Sequence, residues 1–156
     1  MEPYSIEPVT LTEVVFPQDT NAYDTLFGGR LLSIMDKAAG LACAKFAHRE
    51  FVTVSIDTLT FTAPARQGDI IEVSAKVGFT STHSAGCKVT AHAMDKRDWA
   101  KNKICEGWFF MVAIDAEMRP IPIPQFRPEG DVEMAEWEHA KRIRAQMLAA
   151  RPDGER

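Results

Sequence analysis

The sequence predicts an α+β domain in which one long helix is enclosed by an antiparallel sheet of about five strands, with a second helix at the C-terminal end. Two observations carry this. Apolar residues recur at helical spacing over Phe27–His48, and again, more weakly, over Asp131–Ala150. Between these stretches, Phe51 to Ala116 reads as one strand after another. Consecutive strands without intervening helices exclude a βαβ plan and, with it, dinucleotide binding on a parallel sheet.

The elements follow in order. Val9–Phe16 is rich in Val, Thr and Phe and reads as a strand that Pro17 ends. Gln18–Thr25 is polar and turn-like. In Phe27–His48, Leu32, Met35, Ala39, Ala42 and Phe46 fall at three- or four-residue steps, and Leu31, Ala38 and Cys43 widen the stripe. Such a helix is about 30 Å long, enough to cross a small sheet. Its small residues, Ala38 to Gly40 with Ala42 and Ala44, imply close approach to a neighbouring backbone. Phe51–Ala63 is a strand ended by Pro64, and Gln67-Gly68-Asp69 is a turn. Ile71, Val73, Ala75, Val77 and Phe79 alternate with Glu72, Ser74, Lys76 and Gly78 in a half-buried strand. Ser81–His83 connects it to another, in which Ala85, Cys87, Val89, Ala91 and Ala93 point one way. Asp95–Lys103 is expected to be a charged hairpin loop.

Ile104–Ile114 is almost continuously apolar, so both faces of this strand must be covered. The long helix covers one face. The other needs a second subunit or the C-terminal segment. That segment begins with a linker punctuated by Pro120, Pro122, Pro124 and Pro128. The helix over Asp131–Ala150 has acids early and bases late, complementing its dipole. Met134, Trp137, Ile143 and Met147 give it a modest apolar side, suited to lying on the domain or to assembly. Residues 151–156 are expected to fray. The expected division is a core domain over 1–126 and a linker with helix over 127–156.

Composition narrows the function. The 156 residues are 46% hydrophobic and 26% charged, with a net charge of −4. An acidic chain lacks the basic footprint of non-specific nucleic-acid binding. Cys43, Cys87 and Cys105 are odd in number and widely spaced, which suits a reducing compartment rather than a disulfide framework. Met1-Glu2-Pro3-Tyr4 does not start a secretory signal, and no apolar run reaches the length of a membrane helix. A cytoplasmic protein without membrane attachment is the expectation.

Common chemical motifs are missing. There is no GxSxG elbow, no GxGxxG or GxxxxGK[ST] loop, and no HExxH. His48, His83, His92 and His139 are isolated, so no metal is expected. The stretch Asp19 to Arg30 stands out because Gly28-Gly29 opens the long helix instead of closing it. The pair either permits a tight loop-to-helix transition or lets a ligand reach free backbone N–H groups, which can hold an oxyanion. Asp36, two turns into the helix, lies on or beside the apolar stripe. It is either a hydrogen-bonded residue at the stripe's edge or a general base or nucleophile in a pocket. Asn21, whose amide can donate to a carboxylate, is its natural partner.

These residues resemble a family. Asn21 followed by Thr25-Leu26-Phe27-Gly28-Gly29, then Met35-Asp36 with Ala38-Ala39, then Val52-Thr53-Val54-Ser55-Ile56-Asp57 with Phe61, Pro64 and Gly68-Asp69, is similar to the hot-dog-fold acyl-CoA thioesterases. The closest branch is the cytosolic (brain-type) acyl-CoA hydrolases and their bacterial short-chain relatives. The resemblance runs from about Val14 to Pro124. It implies hydrolysis of an acyl-CoA to a carboxylic acid and CoA, with no cofactor, since CoA is part of the substrate. It implies a homo-oligomer, a dimer at least and often a trimer of dimers. It places the catalytic Asp at Asp36 and its partner at Asn21, facing each other across a dimer interface. It places carbonyl binding at the Gly28 and Gly29 backbone, and the acyl chain near Phe27, Leu31 and Met35.

The sequence departs from the family in two places. Asp24 stands where glycine is common; Asp tolerates the left-handed conformation better than most residues. The hairpin Ser81-Thr82-His83-Ser84 keeps the final Ser84 of the family's Gly-Arg-Ser/Thr-Ser but lacks its arginine. Arg30, Arg66, Lys76 or Lys88 would then have to meet the CoA phosphates. Two other readings compete. A hydroxyacyl-thioester dehydratase of this fold would want a His near the helix start, and none precedes His48. A non-catalytic acyl-CoA-binding regulator would keep the fold without needing the Asn21/Asp36 pair.

Overall fold

The computed structural model describes residues 4–151. The stretch Met1–Pro3, and residues 152–156 of the expected frayed tail, lie outside them. The chain runs β1 (Val9–Val14), α1 (Gly28–Ala47), β2 (Glu50–Phe61), β3 (Ile70–Thr80), β4 (Ser84–Met94), β5 (Lys101–Ile114) and α2 (Gly130–Ala149). The five strands form one antiparallel sheet in the order β1-β3-β4-β5-β2.

The apolar stripe of α1 sets the layers. Leu31, Ile34, Met35, Ala38, Ala39, Ala42, Cys43, Phe46 and Ala47 are all buried. They pack on the inward-facing residues of the sheet, among them Val73, Ala75, Cys87, Val89, Phe109 and Met111. Side chains as large as Phe46 and Phe109 are fully enclosed there, each worth about 1.5–3 kcal/mol in water-to-core transfer. The helix starts one residue later than the periodicity predicts, with Phe27 as its cap, and ends on His48 in the left-handed conformation (φ 56°). The sheet curves around it. Register shifts in β2, between Thr53 and Ser55 and between Asp57 and Thr60, bend that edge strand.

The second face of β5 is covered by α2, the C-terminal of the two solutions left open by the sequence. Trp108 and Phe110 of β5 and Phe79 of β3 meet Ala140 and Ile143 of α2, with Trp137 and Met147 packed alongside. Phe79 and Trp137 rings lie 4.8 Å apart. The strands carry glycines where these rings press on the sheet. A Cβ on Gly78 would come 2.9 Å from the Trp108 ring, and one on Gly86 3.0 Å from Phe110. Around this seam Lys76 pairs with Glu133 at 3.5 Å and Lys88 with Glu136 at 3.0 Å.

The expected loop over Asp95–Lys103 is too long by three residues. Lys101, Asn102 and Lys103 extend β5 and pair with Met94, Ala93 and His92. Their side chains are exposed, so the backbone ladder forms without the apolar pattern that marks a strand in sequence. The remaining turn is organised by Asp95, whose carboxylate accepts from the Arg97 backbone and guanidinium.

Candidate active site

The loop before α1 is built around two acceptors. Asn21 Oδ1 accepts from the Tyr23 N–H at 2.9 Å and the Thr25 N–H at 3.3 Å, and Asn21 Nδ2 donates to Thr25 Oγ1 at 3.0 Å. This turns the chain tightly enough to put Asp24 at φ 61°, the conformation that favours glycine and that Asp tolerates. Asp19 braces the base of the loop. Its backbone carbonyl accepts from Phe27 N–H, and its carboxylate accepts from Phe16 N–H and from Arg30.

The loop delivers Gly28 and Gly29 to the first turn of α1. No side chain caps this end. Arg30 and Leu31 N–H both turn back to the Phe27 carbonyl. The N–H groups of Gly28 and Gly29 have no acceptor among the described residues, as expected of donors at a helix start. Beside them is a cavity of about 440 Å³ lined by Leu26, Gly28, Leu31, Phe61, Ala63 and Ile104, with Thr62, Pro64 and Ala65. It is apolar apart from the Thr62 hydroxyl and the backbone. A Cβ on Gly28 would meet the Phe61 ring at an ordinary 3.7 Å. Packing within the chain therefore does not demand glycine there; the side chain it lacks would occupy the cavity.

Asp36 is half-buried on α1, and its Oδ1 accepts a 2.6 Å hydrogen bond from the Thr53 hydroxyl on β2. Neither residue lines the Gly28 cavity, and Asn21 does not bond to Asp36 within the chain. Of the sequence-predicted residues, Gly28 and Leu31 line this cavity, Asn21 is engaged within its own loop, and Asp36 is engaged with Thr53. Thr53 was not singled out from the sequence. Its signal is faint: it is one exposed polar side chain of β2, paired with Met111 of β5.

The remaining sequence-predicted residues separate. Leu31 opens onto the cavity. Phe27 is 56% exposed, with its ring against Gly29, and Met35 is wholly buried in the core. Ser84 lies on the outer face of the sheet, in a different cavity of about 540 Å³, and shares a short hydrogen bond with Ser81. Arg30 is committed to Glu13 at 2.7 Å and Asp19 at 3.2 Å. The Lys76 and Lys88 alternatives are held by α2. Arg66 is exposed at the β3 turn, where its backbone N–H donates to Asp69, next to the cavity residue Ala65. Among the described residues no cluster of His, Cys, Asp and Glu could hold a metal ion. None of their helices is long and apolar enough to cross a membrane.

Comparison with known proteins agrees with this picture. A profile of the thioesterase superfamily matches residues 23–100. An uncharacterized acyl-CoA thioester hydrolase of Bacillus subtilis, YkhA, is 32% identical over 126 residues, covering 81% of this chain and 73% of the relative. The cytosolic acyl coenzyme A thioester hydrolase of Rattus norvegicus is 30% identical over 91% of this chain, which spans only 38% of that longer protein. Among solved structures, an apo-hexameric acyl-CoA thioesterase superposes with a TM-score of 0.86 at 32% identity, covering 96% of this chain and 98% of the other. The acyl-CoA hydrolase of Staphylococcus aureus, in complex with butyryl coenzyme A, coenzyme A and coenzyme A disulfide, gives 0.83 at 30% identity, covering 96% and 93%. Alanine variants of that hydrolase have been solved at an asparagine, at an aspartate 15 residues later and at a threonine 17 residues beyond it. Sequence, fold and relatives converge: this chain belongs to the thioesterase superfamily, as an acyl-CoA thioester hydrolase of the hot-dog fold.

Proposed function

We propose that Asp36 is the general base for thioester hydrolysis, that Thr53 holds it, and that Asn21 and the Gly28 and Gly29 N–H groups act on the substrate carbonyl from a second copy of the chain. The observation that carries this is the pair of unsatisfied N–H groups at the start of α1, with Gly28 lining an apolar cavity. An acyl chain bound in this apolar cavity would bring its carbonyl oxygen toward the helix start, where negative charge is favoured. Asn21, Asp36 and Thr53 stand at the same 15- and 17-residue spacings as the residues replaced in the Staphylococcus aureus hydrolase. Because Asn21 and Asp36 do not bond within one chain, a partner copy completes the centre in this reading.

In this reading the Asp36 carboxylate, with Oδ1 held by Thr53, takes a proton from water as the water oxygen attacks the thioester carbon. The oxyanion is held by the glycine N–H groups. Its collapse breaks the C–S bond, and the CoA thiolate leaves and takes up a proton. A thiolate is a good leaving group, so no strong general acid is needed, and neither metal nor cofactor takes part. Direct attack by Asp36 would instead pass through an anhydride, and a single turnover in ¹⁸O-labelled water separates the two by the site of labelling. We also place the protein in the cytoplasm as a dimer or a trimer of dimers, with Arg66 beside the CoA.

The test is thiol release from a panel of acyl-CoAs, acetyl to palmitoyl, by wild type, Asp36→Ala and Asn21→Ala, with assembly checked by size exclusion. Collapse of turnover in both variants supports the assignment. Undiminished rates in Asp36→Ala overturn it.

A further inference from the structure

We propose, on the reading of Gly28 and Gly29 as oxyanion donors, that Arg30 is a positioning residue for the reaction. Through Asp19 and Glu13 it fixes the turn that carries the two glycine N–H groups and keeps those groups free of a side-chain cap.

Arg30 is the third residue of α1, and the first turn holds no acidic residue. A cation there opposes the helix dipole, which favours negative charge at this end. Two carboxylates offset it. Arg30 Nη2 donates to Glu13 Oε1 of β1 at 2.7 Å, and its Nε donates to Asp19 Oδ1 at 3.2 Å. The Asp19 side chain is the most enclosed of the three, 16% exposed against 36% for Arg30 and 38% for Glu13.

Asp19 passes this restraint to the glycines. Its backbone carbonyl accepts at 2.8 Å from the N–H of Phe27, the residue before Gly28. Its Oδ2 accepts at 3.0 Å from Phe16 N–H, just beyond β1. Two successive glycines give a turn little stiffness of its own. The aim of their N–H groups therefore depends on the bonds on either side, Phe27 to Asp19 before them and Arg30 to the two carboxylates after them. A carboxylate near a helix start is also drawn to its free N–H groups. Both Asp19 oxygens are engaged elsewhere, and no side chain caps α1, so the donors are left for a substrate oxygen. An arginine held by two carboxylates is, for the same reason, poorly placed to be a CoA phosphate contact.

Steady-state kinetics of Arg30→Gln on an acyl-CoA and on the matching acyl-pantetheine, which carries no phosphate, tests this. Relative to wild type, kcat should fall about tenfold to a hundredfold on both substrates, with KM little changed. The Tm should drop by only a few degrees, because ion pairs this exposed add little to stability. Arg30→Lys keeps the charge but loses the fork that spans two carboxylates, and its kcat should lie between the two. Lys45→Gln breaks the pair with Glu7 near the other end of α1 and should run at full rate. Full kcat in Arg30→Gln overturns the proposal, as does an equal loss in Lys45→Gln. A loss confined to KM for the CoA ester also overturns it and makes Arg30 a phosphate contact. If Arg30→Gln fails to assemble, Arg30→Lys is read on the same two substrates. Gly28→Ala separates the brace from the reading beneath it. Full turnover in Gly28→Ala removes the oxyanion donors themselves, whereas a slow Gly28→Ala beside a full-rate Arg30→Gln removes the brace alone.

Discussion

The Thr53 hydroxyl sits 2.6 Å from Asp36 Oδ1 and ties the edge strand β2 to the helix it flanks. A carboxylate that accepts one fixed hydrogen bond has one oxygen held and the other left for proton transfer. Asp36→Asn keeps the shape and removes the base, so kcat should fall by about 10²–10⁴. Thr53→Val keeps the volume and removes the donor. Loss of a hydrogen bond to a charged group, about 1.5–3 kcal/mol, should lower kcat by roughly tenfold to a hundredfold with KM little changed. Steady-state kinetics on both variants decides this; a Thr53→Val enzyme at full rate would remove Thr53 from the centre.

Gly28 gives a cleaner test of the oxyanion reading, because its substitution is not forbidden by the fold. The added methyl of Gly28→Ala has 3.7 Å to Phe61, and the backbone there is helical. Stability should change by less than about 1 kcal/mol, since alanine is the better helix former, while kcat/KM falls about 10²–10³ if the methyl displaces the carbonyl from its donors. Thermal unfolding and kinetics on one preparation separate the two effects. A stable variant with normal turnover would show that no substrate carbonyl approaches this turn.

Much of the architecture is legible in sequence because burial is periodic. The α1 stripe and the alternation of Ile71–Val77 report which side of an element faces the core, and the structure packs those residues there, Leu32 only half-buried. Phe79 breaks the alternation, because a register shift after Val77 turns it to the α2 face. Asp24 is legible too, as a residue able to take the φ of 61° that the loop needs. The site is less legible, for three physical reasons. Lys101–Lys103 join β5 through backbone hydrogen bonds, which leave no side-chain signature. The partners of Arg30, Lys76 and Lys88 lie at sequence separations that no local pattern reveals. Thr53 bonds Asp36 through a hydroxyl 17 residues away in sequence, and one threonine in a strand of threonines carries no mark of its own.

The outer seam should matter to stability more through its apolar contacts than through its ion pairs. Ile143 is 7% exposed and packs on Trp108 and Phe79, so Ile143→Ala should cost about 2 kcal/mol or more. Lys76 and Lys88 are roughly 40% exposed, and each pair with α2 should be worth about 1 kcal/mol or less. Urea unfolding of Ile143→Ala, Lys76→Gln and Lys88→Gln measures the order. Larger losses in the lysine variants would mean that α2 is held electrostatically, and its attachment would then weaken with salt.

The proposed division of the centre between two copies makes a prediction that a single-chain mechanism cannot share. Asn21→Ala and Asp36→Ala should each abolish turnover. In a two-fold dimer whose centres each take Asn21 from one copy and Asp36 from the other, a mixed dimer of the two variants has one centre missing both residues and one with both intact. Random reassortment of equal amounts makes about half the dimers mixed, so about a quarter of wild-type activity should return. If both residues served the same centre from the same copy, every centre in the mixture would lack one of them, and no activity would return. Co-refolding the two inactive variants and assaying thiol release distinguishes these outcomes, with wild type taken through the same cycle as the reference for recovery.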